Sequence, residues 1–219
     1  MATWPKDTTA AKNAFYGDFR LASFQAEHLT RIKPPFMMFY DKKPMKTGIL
    51  VNKACAAAMM AAFQEIWDKC DHDEKKVAAT GANDFGGCFN IRQIAGSDSW
   101  SNHSWACAID LSPATNGFNA KGTLSKIVVD AFKRQGALWG GDYKGRTDPM
   151  HFEFVSRSLT AKRRARCEER HVLRRKVLRF FRTTLQIHAP KSKRMRVIQE
   201  ARFIDFRIVK VHHEMLAVD

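Results

Sequence analysis

Two histidines and two carboxylates have a spacing that suits metal-dependent hydrolysis. His103 and Asp110 lie seven positions apart, and Asp148 precedes His151 by three positions. A catalytic zinc site uses three protein ligands with nitrogen or oxygen donors and keeps a fourth position open for water. His103, Asp110 and His151 supply such a set. Asp148 then remains as a general base that would take a proton from the water.

The elements around these residues must bring them into one cleft. Apolar residues alternate around Asp110, which predicts a short strand with Asp110 on one face. Pro149 disfavours a helical conformation at Asp148, so a tight bend is predicted between Asp148 and His151. The bend enters a last strand over residues 150–155. Both side chains would then point into the same cleft.

A cation beside the site would hold an anionic end of the substrate or stabilise the developing oxyanion. Arg92 is the candidate, because it is the only arginine between Arg31 and Arg134. The segment 88–94 is flanked by glycines, and its composition predicts a strand that contains Arg92.

The remaining pattern indicates an α+β fold with a small antiparallel sheet. The charged stretch 71–76 is predicted to be an exposed turn, and residues 138–142 a short strand and turn. Helices are predicted over residues 8–15, over 52–70 with Asn52 as N-cap, and over 123–136 with Thr123 as N-cap and Gly136 as stop.

Charge divides the chain into two parts. Residues 1–156 hold 19 Lys and Arg against 16 Asp and Glu, whereas residues 157–219 hold 18 against 6. Arginine supplies 13 of those 18 bases. We therefore expect a catalytic domain over 1–156 and a basic, partly helical C-terminal extension over 157–219.

Several classes of protein are disfavoured by composition. No apolar run reaches the roughly 18–20 residues that span a bilayer, so no transmembrane segment is expected. The first residues lack a basic region followed by an apolar one, so no secretory signal is expected. Five scattered cysteines without a Cys-x-x-Cys pair indicate reduced thiols and argue against a cysteine zinc knuckle.

Three ordered motifs resemble those of the zinc D-alanyl-D-alanine carboxypeptidases and L-alanyl-D-glutamate endopeptidases. That family includes the VanY-type carboxypeptidases and many phage endolysins. The motifs are Cys88-Phe-Asn-Ile-Arg92-x4-Ser97, Ser101-x-His103-x6-Asp110 and Trp139-Gly-Gly-Asp142-x5-Asp148-Pro-Met-His151-Phe-Glu-Phe154. The likeness covers residues 85–155 and implies an antiparallel sheet flanked by helices, with a zinc cleft on the sheet.

The resemblance implies a role for each matching residue. Asp148 would be the catalytic base and later the proton donor. Arg92 would polarise the scissile carbonyl or bind the substrate carboxylate. Ser101 would support the loop of the first histidine or contact the peptide. The zinc ligands would be His103, Asp110 and His151.

Each of the other motif residues has two possible roles or a possible strain. Glu153 shares a strand face with His151 and would support that ligand, or else be a solvated or salt-bridged residue. Trp139 and Asp142 would shape the cleft wall or simply pack. Ala106 stands where the family usually has glycine, and it would be strained if the position needs a positive φ.

The implied function is hydrolysis of the peptide part of bacterial peptidoglycan. The leading hypothesis is a phage endolysin-type endopeptidase that cuts the L-Ala-D-Glu bond, and a D-Ala-D-Ala carboxypeptidase shares the same motifs. Without a signal peptide, the enzyme would be made in the cytoplasm of the producing host cell and act on the wall after release. The extension 157–219 would bind an anionic envelope surface, or else be a solvated basic face without a specific partner.

The main alternative from another class is a basic nucleic-acid-binding protein, which the net charge of +15 suggests. We disfavour it because the charge lies in the extension, while the histidine and carboxylate motifs lie in the nearly balanced part of the chain.

Overall fold

The computed structural model describes residues 4–157 of the chain. Apart from Arg157, the predicted extension 157–219 lies outside the described residues, and its boundary and role stay predictions. The described part contains helices and small antiparallel sheets, which confirms the α+β class. Within that part, no helix is long and apolar enough to cross a bilayer.

The described elements are short except for one central helix. The helices are α1 (Thr9–Tyr16), α2 (Phe24–His28), α3 (Lys53–Lys69), α4 (Glu74–Thr80) and α5 (Lys126–Arg134). The strands are β1 (Leu29–Ile32), β2 (Phe39–Tyr40), β3 (Lys43–Pro44), β4 (Ile49–Asn52), β5 (Phe85–Gly87), β6 (Ala108–Leu111), β7 (Leu138–Trp139) and β8 (His151–Glu153). Two 3₁₀ turns complete them, Asn102–Trp105 and Gly140–Asp142.

The long helix α3 forms where the sequence predicts it. Asn52 is its N-cap, and the Asn52 side chain accepts a hydrogen bond from the Ala54 N–H at 3.0 Å. The helix buries an apolar stripe that includes Met59 and Phe63. Phe63 packs edge-on against Phe132 of α5, with ring centroids 5.5 Å apart, so the two helices share one core.

The site is built on a four-stranded antiparallel sheet with the order β5-β6-β8-β7. Phe152 of β8 stacks on Phe132 of α5, with ring centroids 4.6 Å apart. Because side chains alternate along a strand, the neighbours His151 and Glu153 must point to the opposite face. Asp110 of β6 lies directly across from His151, so the sheet register alone brings these two side chains together.

The N-terminal residues pair with the segment that follows β8. The Ser156 N–H donates to the Pro5 carbonyl at 2.7 Å, and the Asp7 N–H donates to the Ser156 carbonyl at 3.0 Å. The Tyr16 hydroxyl at the end of α1 donates to the carbonyl of Phe154. Helix α1 is therefore fixed beside the strand that carries His151.

The predicted strand over residues 88–94 is wrong. The chain forms a loop there, in which the Asn90 N–H donates to the His103 carbonyl at 3.1 Å. The Arg92 carbonyl accepts from the Ser101 N–H at 3.0 Å. These bonds occupy backbone groups that a strand would offer to a sheet neighbour. Arg92 therefore lies in a loop that is tied to the His103 turn.

Two helix starts also differ from the prediction. The stretch 71–76 is only partly a turn, because Asp73 caps α4 and its carboxylate accepts two backbone N–H bonds at 2.7 and 3.1 Å. Helix α5 begins after Ser125, which is its N-cap, and not after Thr123. The Thr123 N–H instead donates to the side chain of Asn116 at 2.7 Å.

Candidate metal centre

His103 is positioned by the 3₁₀ turn Asn102–Trp105. The hydroxyl of Ser101 accepts a hydrogen bond from the His103 N–H at 3.4 Å, which fits the supporting role expected of Ser101. The ring Nδ1 of His103 lies 2.8 Å from the carbonyl oxygen of Cys88. A carbonyl can only accept, so Nδ1 carries the proton and the lone pair of Nε2 faces the site.

Ala106 ends this turn in the left-handed conformation, with φ 51° and ψ 31°. That conformation costs roughly 1–2 kcal/mol for a residue with a β-carbon. Its N–H donates to the His103 carbonyl at 3.0 Å, and its side chain is fully buried. The position therefore does need a positive φ, and here an alanine adopts it where the family pattern has glycine.

Three side chains converge beyond the turn. His151 Nδ1 lies 2.8 Å from Asp110 Oδ1, and His103 Nε2 lies 3.2 Å from Asp110 Oδ2. The two ring nitrogens, His103 Nε2 and His151 Nδ1, are 3.2 Å apart. Ligands that bind zinc tetrahedrally at about 2.0–2.1 Å lie about 3.3 Å from one another. The spacing and the donor atoms therefore fit a zinc ion.

The second nitrogen of each histidine ring is also bound, as metal sites require. His103 Nδ1 donates to the Cys88 carbonyl, and His151 Nε2 lies 3.4 Å from Glu153 Oε2. Each bond fixes the tautomer that leaves the other nitrogen free to act as a ligand. Glu153 thus has the supporting contact with His151 that its strand position suggests.

The charges at the site favour an ionised carboxylate. Burial would raise the pKa of Asp110, but its contacts with His103 and His151 outweigh burial and hold it well below its usual range. Burial would lower the pKa of His151, but hydrogen bonds to Asp110 and Glu153 outweigh burial and raise it to about 10. Without a metal, His151 therefore holds a proton that a metal must displace.

Asp148 lies beside the candidate ligands, and one of its carboxylate oxygens accepts no hydrogen bond from a described residue. Its Oδ1 is buried and has no hydrogen-bond partner among the described residues. Burial raises the pKa of Asp148 and the nearby Asp110 charge adds to this, although His151, His103 and Arg92 oppose it. A carboxyl group with a raised pKa and an open oxygen suits proton transfer.

Trp139 and Gly140 hold the bend that carries Asp148. The His151 N–H donates to the Asp148 carbonyl at 3.0 Å, which closes the predicted bend. Trp139 Nε1 donates to the Pro149 carbonyl at 2.7 Å, so Trp139 holds the bend by a hydrogen bond as well as by packing. A β-carbon on Gly140 would overlap the Asp148 carbonyl oxygen, so this position needs glycine for close approach.

Asp142 does not have the place expected in the cleft wall. Its carboxylate is exposed and pairs with Lys133 Nζ at 2.6 Å on the surface. Asp142 is the last residue of the 3₁₀ turn Gly140–Asp142. Its spacing in the motif gave no sign of this.

Arg92 is exposed, and only its backbone is fixed. The Arg92 N–H donates to the Ser104 hydroxyl at 3.2 Å, and that hydroxyl donates back to the Arg92 carbonyl at 3.2 Å. The guanidinium makes no ion pair with a described residue, yet its charge is close enough to lower the pKa of Asp148. Arg92 is thus beside the site and available to an anion.

The sequence interpretation missed four residues that contact Glu153 directly or through a neighbour: Lys12, Asn102, Tyr143 and Arg157. Burial would raise the pKa of Glu153, but the hydrogen bond with His151 and the charges of His151 and Arg157 lower it to about 2. Asn102 and Tyr143 lie next to motif residues and could have been suspected. Lys12 carries no local signal, because a lysine within an amphipathic helix is usually exposed.

Comparison with known proteins agrees with this geometry. Residues 95–154 match a family model described as D-alanyl-D-alanine carboxypeptidase. The resemblance to the VanY-like zinc peptidases is confirmed. No curated protein and no solved structure matches the chain.

The matched peptidase segment spans less than half of the chain, but it holds most of the site. It includes the three candidate ligands, Asp148 and the bend that Trp139 supports. Arg92 and α1 precede it. At the level of the family, the match supports a zinc peptidase that acts on peptidoglycan.

Proposed function

We propose that this chain is a zinc-dependent endopeptidase that cuts peptidoglycan at the bond between L-Ala and D-Glu. One observation carries the proposal. His103 Nε2, His151 Nδ1 and the Asp110 carboxylate converge beside a buried Asp148 oxygen that has no partner among the described residues. The family match supports the reaction class.

His103, Asp110 and His151 would hold the zinc. A zinc ion bound there supplies Lewis acidity, which polarises a carbonyl and makes water easier to deprotonate. Asp148 accepts the proton of the attacking water and later delivers it to the departing nitrogen. A carbon–oxygen bond forms and the peptide carbon–nitrogen bond breaks, so one carboxylate and one amine are released.

Arg92 would determine substrate specificity by binding a carboxylate of the peptide. In peptidoglycan, D-Glu is linked onward through its side chain, so its α-carboxylate is free on the residue that follows the L-Ala-D-Glu bond. The exposed guanidinium of Arg92 is a suitable partner for that carboxylate. A terminal D-Ala also has a free carboxylate in the same place. D-Ala-D-Ala carboxypeptidase activity is therefore the second candidate.

We also propose where the enzyme works. It would be made in the cytoplasm of the producing cell and reach the wall after release, as a phage endolysin does. The extension 157–219 has a net charge of +12, which favours an anionic envelope surface. Neither proposal bears on the chemistry of the site.

The decisive experiment is digestion of purified peptidoglycan with the zinc-loaded full chain, followed by mass spectrometry of the new termini. New N-terminal D-Glu supports the endopeptidase, whereas free D-Ala supports the carboxypeptidase. The Asp148→Ala variant should lose cleavage. Asp142→Ala is the matched control, because Asp142 is a nearby but exposed carboxylate, and it should cleave like the unchanged chain.

The same preparation tests the alternative class. A nucleic-acid-binding protein would hold no stoichiometric zinc, would release no peptide, and would bind DNA with a steep dependence on salt concentration. That combination of results would overturn the peptidase proposal.

A further inference from the structure

The buried charge farthest in sequence from the metal centre is Lys12, on α1. Only 4% of its surface is exposed. Its Nζ lies 2.6 Å from Asn102 Oδ1 and 3.0 Å from Asp7 Oδ1, and it sits 4.1 Å from the centre of the Trp105 ring. Burying an ammonium group is costly unless partners compensate for the lost water. Neither the formation of α1 nor the proposed reaction requires a buried ammonium group at this position.

Asn102 connects Lys12 to Glu153 through two hydrogen bonds of its side-chain amide. Its Oδ1 accepts from the ammonium of Lys12, and its Nδ2 donates to Glu153 Oε2 at 2.6 Å. A cation on one side and a carboxylate on the other fix the orientation of the amide. Asn102 also immediately precedes His103, so it connects the two histidine segments.

Glu153 is held from several sides. Its Oε1 accepts from the Tyr143 hydroxyl at 2.6 Å and from Arg157 Nη2 at 2.6 Å. Its Oε2 accepts from Asn102 and lies 3.4 Å from His151 Nε2. Arg157 reaches Asp7 at 3.5 Å, and Asp7 reaches Lys12. Five side chains thus form a closed polar ring: Lys12, Asn102, Glu153, Arg157 and Asp7.

We infer that Lys12 is a positioning residue for the metal centre. Through Asn102 it fixes the Glu153 carboxylate, which holds Nε2 of His151 and leaves Nδ1 turned towards His103. Without Lys12, Asn102 can reverse its amide, and Glu153 loses the donor that aims Oε2 at His151. The inference rests on the proposed metal site and adds α1 to the elements that build it.

The ring explains why a buried lysine is tolerated here. The positive groups, Lys12 and Arg157, alternate with the acceptors Asp7 and Glu153, and Asn102 joins the two halves. Each member has a partner on both sides, which is the condition under which a buried polar network is stable. Removing Lys12 leaves the buried side chain of Asn102 with an unmet bond.

The test is the zinc affinity of the full chain after the metal has been removed, measured by competition with a chromogenic chelator. Lys12→Met should weaken zinc binding about tenfold, the lower end of what loss of an outer ligand contact costs. Lys6→Met is the matched control, because Lys6 is an exposed lysine of the same N-terminal segment. Its affinity should equal that of the unchanged chain.

A double-mutant cycle separates positioning from general destabilisation. If Lys12 acts through Glu153, then Lys12→Met should change zinc affinity less than about twofold in a Glu153→Gln background. An equal loss in both backgrounds would show that Lys12 acts on stability alone and would overturn the inference. If Lys12→Met does not fold, Asn102→Leu cuts the same connection and takes its place in the cycle.

Failure of the inference can be told from failure of the proposed function. If the unchanged chain binds no zinc, the proposed function is wrong and the inference falls with it. If the unchanged chain binds zinc and Lys12→Met binds it equally well, only the inference is overturned.

Discussion

Gly140 and Asp148 meet backbone to backbone, with no room for a side chain between them. A β-carbon at Gly140 would overlap the Asp148 carbonyl oxygen. The Asp148 N–H also donates to the Gly140 carbonyl at 3.0 Å. This contact holds the backbone of the proposed catalytic base against the 3₁₀ turn Gly140–Asp142.

Gly140→Ala should therefore displace Asp148 and reduce the rate of peptidoglycan cleavage by about 100-fold, the usual cost of a shift near 1 Å in a catalytic group. Gly117→Ala is the control, because a β-carbon there would have no neighbour nearer than the Pro113 carbonyl at 3.8 Å. The release of soluble fragments measures both. Equal rates in the two variants would contradict the prediction.

Substitutions at Ala106 should separate backbone strain from packing. Ala106→Val places a branched β-carbon in a left-handed, fully buried position, and should lower the free energy of unfolding by about 3 kcal/mol or more. Ala106→Gly relieves the strain but loses a buried methyl group, so its net effect should stay within about 1 kcal/mol. Urea unfolding of both variants measures this. A Val variant as stable as the Gly variant would contradict the observed φ.

Zinc binding should release a proton at neutral pH. The pKa of His151 is raised to about 10 in the metal-free chain, so its Nδ1 is protonated until the metal displaces that proton. Between pH 6.5 and 8, zinc affinity should increase at least about tenfold per pH unit. Calorimetry in two buffers with different ionisation enthalpies measures the proton release directly. Heats that are the same in both buffers would refute it.

The same pKa fixes how the stability of the metal-free chain depends on pH. A raised pKa in the folded state means that His151 contributes stability in full below about pH 6.5, its unfolded value. That contribution should then be lost as the pH rises towards 10. Unfolding by urea at pH 6.5 and pH 9, in the presence of a chelator, should show the decrease.

Arg92→Ala should reduce kcat/KM about 10- to 100-fold on substrates with a free carboxylate after the scissile bond, since a hydrogen bond to a charged group is lost. The same substitution should hardly change kcat/KM on substrates in which that carboxylate is amidated. Arg20→Ala is the control, because Arg20 is an exposed arginine paired with Asp18. A loss that is independent of the carboxylate would contradict the assigned contact.

Deletion of residues 158–219 should leave the hydrolysis of soluble wall fragments unchanged. Binding to whole cells should weaken at least about tenfold, because the extension carries most of the positive charge. Raising the salt concentration should weaken cell binding of the full chain in the same direction. Cell binding and lysis that survive the deletion would contradict a role of the extension at the envelope.

Sequence patterns within single elements predicted much of this fold. The Asn52 cap and the spacing of apolar residues predicted α3, and alternation around Asp110 predicted β6. Both signals lie within a few residues of the element, so no distant contact was needed to interpret them. Asp110 and His151 meet because two neighbouring strands hold them in register, and the 3₁₀ turn before β6 brings His103 to them.

What the sequence did not reveal depends on distant partners. Lys12 is buried by Asn102, which lies 90 positions later in the chain. The loop around Arg92 was predicted to be a strand from its composition and flanking glycines, yet its backbone bonds go to the His103 turn. In both cases the decisive contact comes from an element whose position the local pattern cannot give.

The pairing of Pro5 with Ser156 has a consequence for synthesis of the protein. Chains grow at about 5–20 residues per second, and contacts between distant residues form only after the later residue has been made. Neither His151 nor the polar ring can be in place before the segment that ends at Arg157 has emerged from the ribosome. Until that segment has emerged, a growing chain therefore cannot carry a complete hydrolytic site, whatever metal surrounds it.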